Sequence, residues 1–386
     1  MKLRQILIPF FDPSVSEWSI LARLLRWLTF FWLFIGLAIL FSASYPVGAF
    51  GDSYNGDGLY YFKRQLFWVM LGLIGFNCVV HYPLRHVLGV SQWLVLGFLA
   101  LIFVTTIPGV GTTTNGSTRW LALGPVPLQP SELIKPFLVL QSARIFGQWH
   151  RIRWNIRLSW LLIFGLVLLG ILIQPNLSMT ALCGITLWLV ALAADLSLPY
   201  LLLSAVSGIF LAYVSLRPYQ WQRILSFLDP WKHRAGSGFQ LVESLLAVGS
   251  GGVWGTGYGL SQQKLFHLPI QYTDFIFAIF AEEFGLVGCV LLLLMLLVYA
   301  TLALLVAFNA RNAVHRLVAI GAMVLMVGQS LLNIGVATGA LPTTGLPLPL
   351  ISYGGNSMLT SLFVAGLLIR VARESTVGEV VSFRRT

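Results

Sequence analysis

The sequence predicts an all-α polytopic membrane protein of about ten transmembrane helices, with a large extracytoplasmic loop between helices 7 and 8. Three observations carry this reading. The 386 residues are 57% hydrophobic and 10% charged, with a mean hydropathy of +0.84, where a soluble domain carries about 25% charged residues. Apolar runs long enough to span a bilayer recur along the whole chain. Three connections between them are long, 46–64, 108–130 and 216–273, and connections of that length are usually functional.

In chain order the runs lie at 27–45, 65–82, 90–107, 132–147, 158–173, 177–194, 198–215, 275–307, 317–338 and 351–370. The first follows a basic segment with Lys2, Arg4, Arg23 and Arg26 and ends in Ser42-Ala43-Ser44, faintly like a signal peptide. Its apolar part is long for one, and further spans follow, so it is read as uncleaved. An even number of spans puts both termini on one side, and the Arg and Lys distribution says which. Fifteen lie on the terminal side of this map and eight, over much longer connections, on the other, with Lys135 inside a span. The tails 1–26 and 371–386 are therefore expected in the cytoplasm. The loop 216–273 mixes Trp221, Phe227, Trp231, Phe239, Leu245 and Leu246 with basic residues, which predicts short amphipathic helices on the bilayer surface. No repeat, low-complexity tract or linker divides the chain, so 1–386 is read as a single membrane domain.

The net charge of +11, from 24 Lys and Arg against 13 Asp and Glu, is taken up by this topology. The basic residues are not interleaved on a soluble face, so nucleic acid is not expected as a partner. Cys78, Cys183 and Cys289 stand singly in apolar runs and read as small buried hydrophobes. The six histidines are scattered, and no metal site is expected from ligand spacing. The glycine-rich run Gly249–Gly259 lacks the Lys-Ser/Thr of a phosphate-binding loop and reads as close-packed re-entrant or loop backbone.

Ionisable groups inside a bilayer are costly, so their positions are default functional hypotheses. Asp12, Glu17, Glu374 and Glu379 fall in the tails and Asp195 at a turn on the same side; Asp52, Asp57, Glu132, Asp229, Glu243, Asp274, Glu282 and Glu283 fall on or near the outer side. Asp274 is the sharpest candidate, because it stands where a long polar loop enters an apolar helix. Partial desolvation there raises a carboxyl toward the range of a general base. Ala278 and Ala281 follow on roughly the same face and leave room for a cavity. The competing reading is an acid at a helix N-terminus interacting with the dipole. Glu282 and Glu283, two turns deeper, cannot both face lipid; a structural, ion-paired role outweighs catalysis for them. Glu132 and Lys135 share a helical face and either pair with each other or, with Arg119 upstream and the backbone donors behind Ser131, hold a pyrophosphate.

The segment from Asn333 to Ser357, with Gly339, Pro342, Gly345, Ser352, Tyr353, Gly354 and Gly355, resembles the signature of the FtsW/RodA/SpoVE (SEDS) family. The resemblance extends over Gly116–Trp120, Gln129–Lys135, Asp229–Trp231, Gly236–Gln240 and Thr273–Gly285, in the family's order. It implies a ten-helix enzyme of the bacterial cytoplasmic membrane, its active site facing outside. The implied activity is that of a peptidoglycan glycosyltransferase polymerising lipid II into β-1,4 glycan with release of undecaprenyl pyrophosphate. Asp274 is the implied catalytic residue. The substrate-binding candidates are Arg119, Gln129, Glu132, Lys135, Arg217, Arg223, Glu282, Glu283, Ser352, Gly354 and Gly355. Implied partners are lipid II, the nascent glycan strand, a class B penicillin-binding protein, other division proteins and membrane lipid.

No cofactor is called for; whether a divalent cation assists the pyrophosphate is left open. The Ser261–Leu265 stretch before Leu268-Pro269 looks closer to the division type, FtsW, than to the elongation type, RodA. Gln271-Tyr272 departs from the family's more usual Ala/Arg-His before Thr-Asp. The alternative is a lipid II flippase using the same cavity; the absence of a visible inverted repeat and the outer position of the charges favour the enzyme. A scaffold that only recruits the penicillin-binding protein leaves the buried acids unexplained.

Overall fold

The computed structural model describes residues 13–51, 56–114, 117–123, 126–265 and 268–383. Asp12, Asp52, Gly116, and the 1–12 and 384–386 ends of the two tails lie outside the described residues. The helices are α1 (Ile20–Phe50), α2 (Tyr60–His81), α3 (Leu84–Val104), α4 (Pro130–Leu133), α5 (Lys135–Phe146), α6 (Trp154–Ile173) and α7 (Leu177–Ala193). They continue as α8 (Leu198–Val214), α9 (Pro218–Leu228), α10 (Phe239–Ser250), α11 (Ile276–Asn309), α12 (Ala313–Met323), α13 (Gln329–Ala337) and α14 (Gly355–Phe383). A π-helical turn, Val324–Gly328, makes α12 and α13 one continuous run.

Each apolar run of the sequence carries a helix. Among the described residues, seven are long and apolar enough to cross a membrane: α1, α2, α3, α6, α11, the run Ala313–Ala337 and the first part of α14 to Ser375. The count rises to eight if α8 and α9, bent by 103° at their junction, form one broken span. The remaining predicted spans, α4–α5 and α7, are shorter helices. α11 is broken at Gly285, and its part after the break, 286–309, reaches about 36 Å at 1.5 Å per residue, enough to cross a hydrocarbon core of about 30 Å.

α14 is the centre of the bundle. It packs on α1, α2, α11 and α12, and Leu362, Ala365, Leu367, Leu368, Ile369 and Val371 are fully enclosed. α8 is its opposite: Leu201 is its one buried residue, and its principal neighbour is α7. The long 108–130 connection adds a feature absent from the all-α reading, a small antiparallel sheet of β1 (Gly111–Thr114), β2 (Ser117–Leu123) and β3 (Val126–Leu128) with β2 in the middle. The Thr-rich and β-branched residues of this stretch suit strands, but their runs are too short to stand out between spans.

The 216–273 loop is only partly a surface structure. α9 is largely exposed, but α10, expected on the bilayer surface from Phe239, Leu245 and Leu246, packs into the bundle. Leu241, Val242, Ser244 and Ala247 are buried against α11 and α13, and the Ser244 hydroxyl donates to the Ala337 carbonyl at 2.7 Å. The physical reason is that one face of the helix is small and aliphatic and packs against both neighbours.

Behind α10 the glycine-rich run folds into the side of α11. Gly285 interrupts α11 with φ 61° and ψ −165°, and the carbonyls and amides left without helical partners are taken up by the loop. Thr256 and Gly257 N–H donate to the Glu282 and Glu283 carbonyls at 2.9 and 3.1 Å, and Leu286 and Val287 N–H donate to Gly252 and Val253 at 2.9 and 3.1 Å. Non-helical backbone is tolerated at this depth only with such replacement. A β-carbon on Gly255 or Gly285 would run into the other strand of this contact, and both have positive φ. Gly285→Ala is therefore expected to destabilise the protein by about 1–3 kcal/mol, read as a lower midpoint of thermal unfolding in detergent. Gly249→Ala, where an added methyl meets nothing within 4 Å, should leave the midpoint unchanged.

Candidate active site

Asp274 lies two residues before α11, on a segment held by its backbone. The carbonyls of Tyr272, Thr273 and Asp274 each accept a hydrogen bond from the Asn333–Ser357 segment or its flanking helix. Tyr353 N–H donates to Tyr272 at 2.9 Å, the Ser352 hydroxyl to Thr273 at 2.6 Å, and Asn333 Nδ2 to Asp274 at 2.7 Å. The donors are themselves fixed. Asn333 also donates to the Leu346 carbonyl at 2.8 Å, and Ser352 Oγ accepts from Leu348 N–H at 2.8 Å. Gln65 of α2 donates to the Ser352 carbonyl at 3.3 Å and accepts from Gly354 N–H at 3.2 Å.

Two non-glycine residues, Ile270 at φ 53° and Leu350 at φ 61°, sit in the left-handed region on the two segments so joined. Such strain costs about 1–3 kcal/mol per residue and persists where surrounding structure over-determines it. Gly345, at φ 71°, keeps the space beside the carboxylate clear: an added β-carbon would stand 3.4 Å from Asp274 Oδ2.

Asp274 itself is partly exposed. Burial pushes its carboxyl up from the ordinary aspartate range, while the guanidiniums of Arg223 and Arg119 pull it back. Arg119, on β2, donates to the carbonyls of Gln174 and Pro175 at 3.3 and 2.6 Å. Burial lowers its own pKa, opposed by Tyr219 and Asp274, and it stays charged. Arg223, on α9, lies over the Tyr219 ring at 6.0 Å, and the Tyr219 hydroxyl donates to Pro175 at 2.9 Å. One carboxylate and two guanidiniums, from three separate parts of the chain, thus share one field.

The other candidates have different surroundings. Lys135 and Glu132 form an ion pair at 2.5 Å with both side chains buried, and Lys135 also donates to Gln329 Oε1 at 2.9 Å. Gln329 in turn donates to the Pro347 carbonyl at 2.7 Å, so the pair supports the Asn333–Ser357 segment from beneath. Glu282 accepts from the Ser261 hydroxyl at 2.5 Å and from Gln262 and Gln263 N–H at 2.8 and 3.3 Å. Glu283 accepts from Ser42 at 2.5 Å and from buried Lys264 at 2.8 Å. Both acids anchor the 256–265 loop.

The Ser352 hydroxyl is held by backbone and the Gly354 N–H by the Gln65 side chain, and Gly355 packs beneath the Trp68 ring, which leaves no room for a side chain. Gln129 N–H donates to Asn356 Oδ1 at 3.3 Å. Arg217 is exposed at the start of α9, its N–H donating to Gln220 at 3.0 Å. Among the described residues no group of three or more His, Cys, Asp or Glu side chains could hold a metal ion.

Sequence reasoning named the segment that clamps Asp274, Asn333 included, but not the two buried amides that fix that segment, Gln65 and Gln329. A signal for them exists. A primary amide in an apolar helix is costly unless its donors and acceptor are all met, so each such amide marks a buried partner.

Comparison with known proteins agrees with these motifs. The sequence profile of the FTSW_RODA_SPOVE family, described as "cell cycle protein", matches residues 22–377. A Synechocystis protein named "Probable peptidoglycan glycosyltransferase FtsW" is 54% identical over 98% of this chain and 96% of its own. Bacillus subtilis stage V sporulation protein E is 36% identical over 90% and 96%. Among solved structures, a chain of a peptidoglycan synthase complex that coordinates polymerization and crosslinking superposes with a TM-score of 0.73, at 26% identity over 91% of this chain and 97% of that one. The rod shape determining protein RodA of Thermus thermophilus gives 0.66 at 26% identity, over 91% and 96%. With most of its length matched, this chain belongs to the FtsW/RodA/SpoVE family.

Proposed function

We propose that the chain is a peptidoglycan glycosyltransferase that polymerises lipid II for the septal wall, with Asp274 as its general base. The observation that carries the reading is a carboxylate raised by burial, clamped through three successive carbonyls and set in the field of Arg119 and Arg223. Asp274 takes the proton from the 4-hydroxyl of the acceptor sugar as that oxygen attacks the anomeric carbon of the lipid-linked donor. The C–O bond to the diphosphate breaks, and undecaprenyl pyrophosphate leaves with the electron pair. Attack from the opposite face inverts an α-linked donor to a β-1,4 glycan. The leaving diphosphate needs no proton, so a second carboxylate is not required; Arg119 and Arg223 neutralise the charge that grows on it.

The Arg and Lys asymmetry supports cytoplasmic termini and a site facing outside the cytoplasmic membrane. The relatives' names support a role in division. The synthase complex among the similar structures supports a class B penicillin-binding protein as partner, cross-linking the strands this chain extends. The relatives' names, the lack of a visible inverted repeat and the clustering of the candidate charges toward one side favour polymerisation over lipid II translocation.

Labelled lipid II given to the purified chain, with and without a class B penicillin-binding protein, should yield glycan strands. Headgroup translocation in liposomes with no strand under either condition would replace this reading with the flippase.

A further inference from the structure

The proposed reaction brings two lipid-linked diphosphates together, and the candidate cations of the chain do not serve them equally. Lys135 and Lys264 are buried in ion pairs with Glu132 and Glu283. Lys63 pairs with Asp57 at 3.0 Å and Arg234 with Glu243 at 3.2 Å. Arg119 and Arg223 share the field of Asp274.

Arg64 is different. It is half-buried in the first turn of α2, and among the described residues no carboxylate pairs with it. Its NH1 donates to the Tyr60 hydroxyl at 2.9 Å, its guanidinium lies over the Tyr60 ring at 5.7 Å, and it is within electrostatic reach of Tyr61 and Tyr353.

Beside it three tyrosines form a cluster: Tyr61 and Tyr272 with ring centres 4.4 Å apart, and Tyr353 at 5.1 and 5.6 Å from them. The Tyr272 hydroxyl donates to Tyr61 at 2.9 Å. Tyr272 precedes Thr273-Asp274 and is backbone-bonded to Tyr353, so the cluster is tied to the proposed base at a fixed distance. The rings of Tyr272 and Tyr353 are partly exposed. This is also where the sequence departs from the family's more usual histidine.

We infer that Arg64 with Tyr61, Tyr272 and Tyr353 forms a second substrate subsite, separate from Arg119 and Arg223, that takes a lipid-linked glycosyl diphosphate. The inference rests on the glycosyltransferase reading for its substrate class. A guanidinium without a carboxylate matches a diphosphate's oxygens through paired N–H donors. Tyrosine faces present apolar area and a polar edge to a sugar ring. The subsite holds its ligand on the α2 side of Asp274, while Arg119 on β2 and Arg223 on α9 approach from elsewhere in the chain, which suits one acceptor and one donor.

The test uses the full chain in nanodiscs, with fluorescent lipid II as the probe for equilibrium binding and labelled lipid II for polymerisation. Arg64→Gln and Tyr272→Ala should each weaken binding and raise KM by about tenfold, the loss of a charged hydrogen bond or a ring contact. Tyr272→Phe should retain most of the affinity and Arg64→Lys, which keeps the charge but not the paired donors, only part of it, and the thermal midpoint and the acid limb of the pH–rate profile should not move. Unchanged binding and KM alongside a lowered midpoint would overturn the inference and make the cluster a packing feature. If wild type forms no strand yet Arg64→Gln still weakens lipid II binding tenfold, the subsite stands and the glycosyltransferase reading falls.

Discussion

Replacing Asp274 with asparagine is expected to slow lipid II polymerisation by about 10²- to 10⁴-fold, the usual cost of losing a general base, without unfolding the site. The hydrogen bonds that hold the carbonyls of residues 272–274 come from Tyr353, Ser352 and Asn333. None uses the Asp274 carboxylate, and the amide of asparagine has the same shape. The thermal midpoint and lipid II affinity should therefore stay near wild type while the rate collapses. A variant that keeps the full rate would remove Asp274 from the chemistry.

The second large effect is on stability. Lys135→Met leaves Glu132 charged in a site where both side chains are buried, and breaking one half of such a pair costs about 3–5 kcal/mol. It also frees Gln329, whose other end holds the Pro347 carbonyl, so the Asn333–Ser357 segment should loosen and activity fall with stability. Adding Glu132→Leu removes the orphaned charge. The double variant is expected to recover most of the thermal midpoint and of the polymerisation rate. A double variant that folds like wild type yet stays inactive would instead make Lys135 a substrate contact.

How much of this was legible beforehand follows from what each residue must satisfy. Helices were readable because apolar residues continuous over a span admit few alternatives in lipid. The number of spans was less so, since α7, at 17 residues, and α8, bent into α9, differ from full spans in length and direction rather than in composition. Asp274 stood out because a lone acid at a polar-to-apolar boundary needs a reason. Lys135 and Glu132 were ambiguous, because the same three-residue spacing serves a closed ion pair and an anion site, and the contact of Lys135 with Gln329, far along the chain, is invisible to that spacing. The sheet of 111–128 and the burial of α10 depend on partners distant in sequence. The docking of the glycine-rich run onto Gly285 was half-visible: the glycines announced close backbone approach, but not its target.

The most direct test of the account is the pH dependence of the polymerisation rate. A general base works deprotonated, so the rate should fall as pH drops through the pKa of Asp274, which burial holds above the ordinary aspartate value of 3.8. Arg223 and Arg119 restrain that rise. Removing one restraint with Arg223→Gln should therefore move the acid limb to higher pH, whatever it does to the maximal rate. An acid limb that stays where it is in Arg223→Gln, or that persists unchanged in the residual activity of Asp274→Asn, would contradict the assignment of Asp274 as the base.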